Sequence, residues 1–155
     1  MATQTLVMGI LNVTPDSFAD GGKYFSVNDA VARIEEMLTE EVDIVDIGGE
    51  STRPGAERVS AEEEQRRVIP VIKALAGKGA DISVDTMRAS TAKLAVEAGA
   101  TIVNDVSGGA ADEEMFSTVA QLRCNYTLMH WRGHSKEMNS LAKYGDVVED
   151  VINEV

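Results

Sequence analysis

Polar side chains follow most of the short apolar segments in this chain, and their types suit hydrogen bonding better than covalent chemistry. Amides and carboxylates offer donors and acceptors in fixed directions. Such a set fits a flat, nitrogen-rich heterocycle whose adjacent N–H groups donate to a carboxylate. The groups at the segment ends are Asn12, Asp46, Asp85, Asn104, Asp105 and His130, and those in the following loops are Thr14, Asp16, Ser17, Ser51, Thr52 and Arg53.

The individual groups differ in how strongly they indicate a binding site. Asp85 and Asn104 occupy corresponding ends of successive apolar segments, which favours a binding role. Asp46 and Asp105 fit equally well as structural groups that satisfy neighbouring backbone atoms, and the sequence leaves both interpretations open. Arg53 precedes Pro54 in a loop, where a cation can meet an anionic substrate group, although a lone surface arginine is usually only solvated.

A zinc site or a reactive thiol is a weaker interpretation. The two histidines, His130 and His134, have a spacing that would suit a metal pair on a helix. The intervening Trp-Arg-Gly sequence does not indicate a helix, so a zinc pair is not expected. The single cysteine, Cys124, precludes an internal disulfide and favours a reducing cytoplasm, and its apolar surroundings suggest a small buried side chain.

Strands and helices must alternate to position these groups. Short runs rich in Val, Ile and Leu predict strands at 7–13, 43–48, 81–85, 101–105 and 126–130. Apolar residues at helical spacing predict a first helix over 27–38 and a second after Ser60, with Ser26/Asp29 and Ser60/Glu63 as capping pairs. Further helices are predicted at 90–97, ending at Gly99, at 112–122, and from about 144 to 155.

Repeated strand–helix alternation indicates parallel strands with right-handed crossovers. Two architectures compete, an open doubly wound sheet and a (β/α)₈ TIM barrel. Gly21-Gly22 and Gly48-Gly49 lead into polar loops and not directly into helices, unlike a dinucleotide-binding turn. Polar groups at every strand end favour the barrel, but a whole barrel needs about 250 residues. The 155 residues predict barrel topology truncated to about the first five βα units.

Composition narrows the class of partner. The chain is 44% hydrophobic and 26% charged, with a net charge of −12, so we expect no nucleic-acid partner. Most of the acidic excess lies in Glu-rich helical stretches, which are typically solvated faces. No segment is long and apolar enough to suggest a membrane span, so we expect no membrane partner.

Two long motifs in the chain resemble the signatures of the dihydropteroate synthase family. Residues 8–18, Met-Gly-Ile-Leu-Asn-Val-Thr-Pro-Asp-Ser-Phe, followed by Asp-Gly-Gly, resemble its opening signature, and residues 46–55, Asp-Ile-Gly-Gly-Glu-Ser-Thr-Arg-Pro-Gly, resemble its second. The tips Ser-Val-Asp-Thr, Asn-Asp-Val and Leu-Met-His match in order. Residues 85–89, 104–109 and 129–132 look especially like actinobacterial members.

The resemblance implies a transferase of folate biosynthesis on a TIM barrel. The family condenses 6-hydroxymethyl-7,8-dihydropterin pyrophosphate with p-aminobenzoate to 7,8-dihydropteroate and pyrophosphate, and it is the target of sulfonamides. Carried over, Asp85 and Asn104 are the catalytic and pterin-binding pair, with Val106 and Met129 lining their pocket. Asn12 lies near Mg²⁺ and the pyrophosphate. The p-aminobenzoate and pyrophosphate loops contain Thr14, Pro15, Asp16, Ser17 and Phe18, and Thr52, Arg53 and Pro54.

The chain also departs from the family pattern. It lacks the family's later elements, which are a second pterin-binding Asp in an Asp-Pro-Gly strand, a lysine in a Ser-Arg-Lys segment and a terminal Arg-x-His anion site. We therefore expect residues 1–155 to be the N-terminal portion of a single pterin-binding barrel domain, with exposed strand edges and little or no activity alone. The resemblance implies a cytoplasmic homodimer for the intact protein. A methyltetrahydrofolate-binding methyltransferase domain and a non-catalytic pterin-binding half-barrel are the alternatives.

Overall fold

Five parallel strands alternate with helices in this computed structural model, which describes residues 5–14, 27–51 and 56–155. A helix lies between each pair of successive strands, and all five strands run in the same direction. The elements in chain order are β1 (Met8–Asn12), α1 (Val27–Thr39), β2 (Ile44–Gly48), α2 (Ala61–Leu75), β3 (Asp81–Asp85), α3 (Ala89–Ala98), β4 (Ile102–Asp105), α4 (Met115–Leu122), β5 (Asn125–Leu128), α5 (Met138–Leu141) and α6 (Val147–Glu154).

The strand order is β1-β2-β3-β4-β5, with every neighbouring pair parallel. A doubly wound sheet would reverse its strand order at a switch point. The sequential order instead confirms the predicted barrel topology over five βα units.

The two faces of the sheet have opposite character because side chains alternate along each strand. One face packs against the helices, and its strand residues are almost fully buried. The other, which we call the inner face, carries polar groups and is open on β1. The apolar core under the helices includes Leu11, Val13, Ile34, Val45, Ile47, Val68, Ile72, Val84, Val103 and Met115.

Local signals in the sequence set several helix ends. The Ser60 hydroxyl accepts a hydrogen bond from the Glu63 backbone N–H at 3.2 Å, which confirms the predicted N-cap of α2. Gly99 has φ 123° and ends α3, as predicted. Asp146 caps the start of α6, where its carboxylate accepts hydrogen bonds from the N–H groups of Val148 and Glu149. The Ser26 cap predicted for α1 lies outside the described residues.

Some predicted boundaries were wrong by a few residues. β5 begins at Asn125 and ends at Leu128, so Met129 and His130 follow the strand and do not belong to it. α4 begins at Met115 and not at Asp112, because residues 106–111 form a turn after β4. The short α5 was not predicted, since four residues carry no usable periodicity.

Within the described residues β1 pairs only with β2 and β5 only with β4, so each outer strand has one unpaired edge, as the sequence predicts. On β1 Met8 and Ile10 are exposed, and on β5 Leu128 is exposed. α6 also presents apolar side chains to solvent, among them Val148 and Ile152. None of the helices within the described ranges is long and apolar enough to cross a membrane.

Candidate pterin-binding site at the carboxyl ends of the strands

A row of polar residues crosses the inner face where the strands end. The strand register places Asn12 opposite Gly48, Gly48 opposite Asp85, and Asp85 opposite Asn104. A methyl group built on Gly48 would lie 3.4 Å from Asp85 Oδ2 and 3.6 Å from Asn12 Oδ1. Gly48 therefore leaves a gap between an amide and a carboxylate, into which a flat ring can approach the backbone. We call these four residues the upper row.

A second row lies one pleat below, toward the amino ends of the strands. It contains Ile10, Asp46, Ser83 and Ile102 in register. Asp46 and Ser83 are buried, with exposed fractions of 3% and 0%. The Asn104 Nδ2 donates to Asp46 Oδ2 at 3.0 Å, which joins the two rows. Asp46 thus belongs to the site side of the sheet, a question that the sequence left open.

Asp85 has an unusual electrostatic environment. Burial, and then the negative charges of Asp46, Glu64, Asp105 and Glu50, raise the pKa of Asp85 to about 7. The group is therefore close to half-ionised at neutral pH. A carboxylate in this state responds strongly to a nearby cation, which would favour its ionised form.

Asp105 has a structural role, in contrast to Asp46. It lies on the helix-facing side of β4, next to Asn104 but pointing the opposite way. Its carboxylate accepts from Ser107 N and Oγ, from Gly109 N and from the Tyr126 hydroxyl, at 2.7 to 2.9 Å. These bonds fix the turn after β4 and fasten it to β5. Burial and the bond to Asp105 raise the pKa of Tyr126.

Val106 and Met129, the predicted pocket residues, lie at the ends of adjacent strands. Val106 is half-buried in the turn after β4, and Met129 is 47% exposed just after β5. Gly108, with φ 59°, packs against the Met129 backbone, where a Cβ atom would collide with the carbonyl oxygen. The glycine lets the turn touch the end of β5, so the two predicted residues are held near each other.

The loop residues of the prediction are only partly described. Thr14 is half-buried directly after Val13, whose N–H donates to Gly48 O. The remaining predicted loop residues, Pro15, Asp16, Ser17, Phe18, Thr52, Arg53 and Pro54, lie outside the described residues.

A buried ion cluster, which the sequence did not reveal, lies beneath the loop that follows β2. Arg88 donates to Glu50 Oε2 at 2.8 Å and to Glu64 Oε2 at 2.9 Å. Glu50 also accepts from the Arg58 side chain and from the Val59 N–H. The cluster ties the residues on both sides of 51–57 to the segment that follows Asp85. In the sequence, this cluster is indicated only by Glu50, which directly follows Gly48 and Gly49.

The two histidines do not form a pair. His130 Nε2 lies 2.7 Å from Glu154 Oε2 on α6, and His134 Nε2 lies 3.3 Å from Arg58. Arg132 stacks on the Tyr144 ring at 4.0 Å and also bonds to Glu154. These contacts hold the segment after β5 against α6, which is a structural role.

A magnesium ion fits the donor set without needing a cage of protein ligands. Within the described residues, no group of three or more His, Cys, Asp or Glu side chains could hold a metal. Mg²⁺ usually keeps several waters and binds through one or two protein oxygens together with substrate phosphates. The exposed Asn12 amide, at the end of the upper row, can supply one such oxygen.

Five parallel strands in sequential order, with polar side chains at their carboxyl ends, define part of a β/α barrel protein. The sequence from residue 8 to 155 matches the family described as pterin binding enzyme. The chain belongs to that family, which confirms the resemblance found in the sequence.

Two curated relatives are dihydropteroate synthases. The Bacillus subtilis enzyme is 50% identical over 153 residues, which cover 98% of this chain and 51% of that protein. The Mycobacterium leprae enzyme is 50% identical over 146 residues, which cover 94% of this chain and 51% of that protein. The chain thus spans about half the length of these relatives. Because the two enzymes are equally identical to this chain, the closer resemblance to actinobacterial members stays a prediction.

Solved structures agree with the sequence relatives. A dihydropteroate synthase from Yersinia pestis, in complex with a sulfonamide drug, aligns with a TM-score of 0.86 and 40% identity over 96% of this chain and 54% of that one. One from Xanthomonas albilineans, with 4-aminobenzoic acid, aligns with a TM-score of 0.83 and 46% identity over 94% of this chain and 51% of that one.

Proposed function

We propose that this chain is the pterin-binding portion of a dihydropteroate synthase. The reaction condenses 6-hydroxymethyl-7,8-dihydropterin pyrophosphate with p-aminobenzoate to form 7,8-dihydropteroate and pyrophosphate. The observation that carries the proposal is the upper row, in which Asn12, Asp85 and Asn104 surround a glycine gap. The identity to dihydropteroate synthases supports the same assignment.

The upper row can bind the pterin ring through its N–H groups. Asp85, when ionised, accepts hydrogen bonds from adjacent ring donors, and Asn104 adds a further acceptor on the neighbouring strand. Val106 and Met129 supply apolar contact with the ring from the ends of β4 and β5.

The chemical step replaces a carbon–oxygen bond by a carbon–nitrogen bond. The bond between the pterin methylene and the pyrophosphate breaks, and the aniline nitrogen of p-aminobenzoate attacks the methylene and then loses its proton to solvent. Positive charge develops on the pterin as pyrophosphate leaves. The ionised carboxylate of Asp85 stabilises that charge because it is negative, and the cationic ring in turn favours the ionised form of Asp85.

Asn12 is the residue that we propose to hold Mg²⁺ with the pyrophosphate. The ion, when bound, neutralises charge on the leaving oxygens. Thr14 and the loop residues Pro15, Asp16, Ser17, Phe18, Thr52, Arg53 and Pro54 are proposed to contact p-aminobenzoate and pyrophosphate, and Arg53 provides a cation for an anionic group. The same loops would bind sulfonamides, which compete with p-aminobenzoate.

The partners of the protein are thus two small molecules. A homodimer of the intact protein and a cytoplasmic location remain predictions. The single cysteine, half-buried and with a pKa raised by burial, is consistent with a reducing compartment.

A direct assay tests the proposed function. Dihydropteroate formation is measured for the 155-residue chain and for the gene product extended beyond codon 155. We expect turnover from the extended form and little or none from the shorter one. Turnover by the short chain would contradict the expected truncation, and no turnover by the extended form would contradict the enzyme assignment. Pterin binding without turnover in both forms would favour the non-catalytic half-barrel.

The role of Asp85 has a matched control on the same strand. Asp85→Asn should weaken pterin binding by about tenfold or more, since it removes a charged acceptor. Asp81→Asn makes the same change of charge at the other end of β3, where the exposed carboxylate accepts from the Thr101 hydroxyl at 3.2 Å. It should leave affinity unchanged. Equal effects of the two variants would refute a specific role of Asp85.

A further inference from the structure

Asp46 is the buried group on the inner face that the proposed mechanism does not use. It is 3% exposed, and its Oδ2 accepts from Asn104 Nδ2 at 3.0 Å. Among the described residues, its second oxygen, Oδ1, has no hydrogen-bond partner. An unpaired oxygen on a buried carboxylate costs free energy of folding, so its presence here requires an explanation.

The contact between Asp46 and Asn104 is made across an intervening strand. Asp46 lies on β2 and Asn104 on β4, two strand spacings apart, which is roughly 9 to 10 Å between backbones. Ser83 of β3 lies between them on the same face, and its small side chain leaves room for the bond. The Ser83 hydroxyl is likewise buried without a partner in the described part of the chain.

The bond determines which way the Asn104 amide faces. An ionised carboxylate can only accept hydrogen bonds, so the amide must turn its NH₂ group toward Asp46. The carbonyl oxygen, Asn104 Oδ1, then points away from Asp46. In the reverse orientation two oxygens would face each other at hydrogen-bond distance, which is strongly unfavourable.

We propose that Asp46 is a positioning residue for pterin recognition: it locks the Asn104 amide so that the carbonyl oxygen, and not the NH₂ group, meets the N–H groups of the ring. The inference rests on the proposed function, because it assumes that the ligand presents ring N–H donors to Asn104. Asp46 does not itself touch the ligand. It specifies the acceptor character of the site and so selects for rings that donate.

A purely structural role for Asp46 would lead to a different hydrogen-bond pattern. Asp105 shows that pattern on the opposite face, where its two oxygens together accept four hydrogen bonds from the surrounding turn and from β5. Within the described residues the Asp46 carboxylate makes one hydrogen bond, and that bond reaches a residue of the upper row. It therefore acts on a residue that is proposed to bind the pterin, whereas the bonds of Asp105 hold a turn in place.

Three variants test the proposal by calorimetric binding of 6-hydroxymethyl-7,8-dihydropterin pyrophosphate, in the 155-residue chain and in the extended form. Asp46→Leu keeps the shape but removes the acceptor, and we expect about tenfold weaker binding. Asp46→Asn restores an acceptor for Asn104 Nδ2 and should bind within about threefold of the unaltered protein. Asp81→Asn, matched in charge to Asp46→Asn, should bind as the unaltered protein does.

Two further measurements distinguish the proposed positioning role of Asp46 from a purely structural one. In the extended form, Asp46→Leu should raise the KM for the pterin and leave the KM for p-aminobenzoate unchanged. The unfolding free energy of Asp46→Asn should not fall, because the substitution removes a buried charge. Pterin affinity of Asp46→Leu within twofold of the unaltered protein would overturn the proposal, as would a parallel rise in both KM values.

A measurement on the unaltered chain covers the case in which Asp46→Leu does not fold. The side-chain NH₂ protons of Asn104 should exchange with solvent more slowly than those of the exposed Asn12, as followed by NMR without ligand. Equal exchange rates would overturn the proposed lock. If the unaltered extended protein binds no pterin at all, the proposed function fails, whereas the NMR comparison still decides whether Asp46 holds Asn104.

Discussion

Three aspartates on neighbouring strands, Asp46, Asp85 and Asp105, show how position alone decides the role of one residue type. Asp105 points toward the helices and is saturated with hydrogen bonds, so it stabilises a turn. Asp85 and Asp46 point to the inner face, where the negative charge of Asp46 helps to raise the pKa of Asp85. The ionisation of Asp85 is therefore coupled to the charges of its acidic neighbours.

The stability of the chain should fall as pH rises toward neutrality, in part because of Asp85. Its pKa is about 7 in the folded chain, against roughly 3.9 for an unfolded aspartate. Between these values the folded state binds more protons, so the contribution of Asp85 to stability is present below pH 4 and is lost as pH rises through 7. Asp85→Asn should raise the unfolding free energy at pH 8 by about 1–2 kcal/mol and change it little at pH 4. Urea denaturation at both pH values measures this, and equal effects at pH 4 and pH 8 would contradict the shifted pKa.

Pterin binding should depend on pH in the opposite direction. The ionised form of Asp85 accepts hydrogen bonds, so affinity should increase as pH rises through about 7. The Asp85→Asn variant should bind weakly and show no such increase. Calorimetric titrations across this range check the prediction, and a pH-independent affinity in the unaltered chain would contradict it.

At the scale of elements, two adjacent glycines at the end of β2 have separable roles. A Cβ on Gly49 would lie 2.9 Å from Val68 Cγ1 and 3.1 Å from the Glu64 carbonyl oxygen, so Gly49 is needed for packing against α2. A Cβ on Gly48 would make ordinary contacts with Asp85 and Asn12.

Alanine at each position gives a matched pair of variants. Gly49→Ala should destabilise the chain by about 1–3 kcal/mol, because it overpacks the interface between β2 and α2. Gly48→Ala should change stability by less than about 1 kcal/mol and weaken pterin binding, because its methyl group enters the gap in the upper row. Denaturation and calorimetry of both variants measure this, and a common loss of stability would show that the two glycines serve the same purpose.

The buried ion cluster around Arg88 should contribute strongly to stability. Arg88 bonds to Glu50 and Glu64, which are 7% and 1% exposed. Arg88→Met leaves both buried carboxylates without this partner and should cost about 3–5 kcal/mol.

The control is Arg66→Met, on the solvent side of α2. Arg66 pairs with Glu63 but is 73% exposed, so its loss should leave the unfolding free energy almost unchanged. Thermal or urea denaturation compares the two variants, and similar losses would mean that the buried cluster contributes no more than a surface pair.

The sequence predicted the elements well because their signals are local. Strand residues 81–85, the Ser60 cap and the Gly99 helix end all depend on neighbouring residues, and all three were confirmed. The face on which Asp46 lies, and its bond to Asn104, depend on the register between three strands, which no local pattern specifies. The same is true of the Arg88 cluster, whose members are 38 and 24 residues from their partners along the chain.

At the scale of the whole molecule, the open strands leave apolar surface exposed. Ile10 is 63% exposed on β1, and Ile152 is 70% exposed on α6. An open sheet edge with apolar side chains is prone to associate with other chains. The 155-residue chain should therefore self-associate in solution.

A charged residue on the open strand should reduce that association. Ile10→Lys places a cation on β1, whereas Leu94→Lys places one on α3, where Leu94 is 39% exposed and distant from the open edge of the sheet. Sedimentation velocity should show less association for Ile10→Lys and no change for Leu94→Lys. A monomeric unaltered chain, or equal effects of both substitutions, would contradict the prediction.

The central claim is that a pterin binds on the inner face at the carboxyl ends of the strands. The most direct test is an NMR titration of the 155-residue chain with 6-hydroxymethyl-7,8-dihydropterin pyrophosphate, which detects weak binding. Chemical-shift changes should concentrate at Asn12, Gly48, Asp85 and Asn104 and be absent from the exposed face of α3. Changes centred on the helices, or no change at saturating ligand, would contradict the claim.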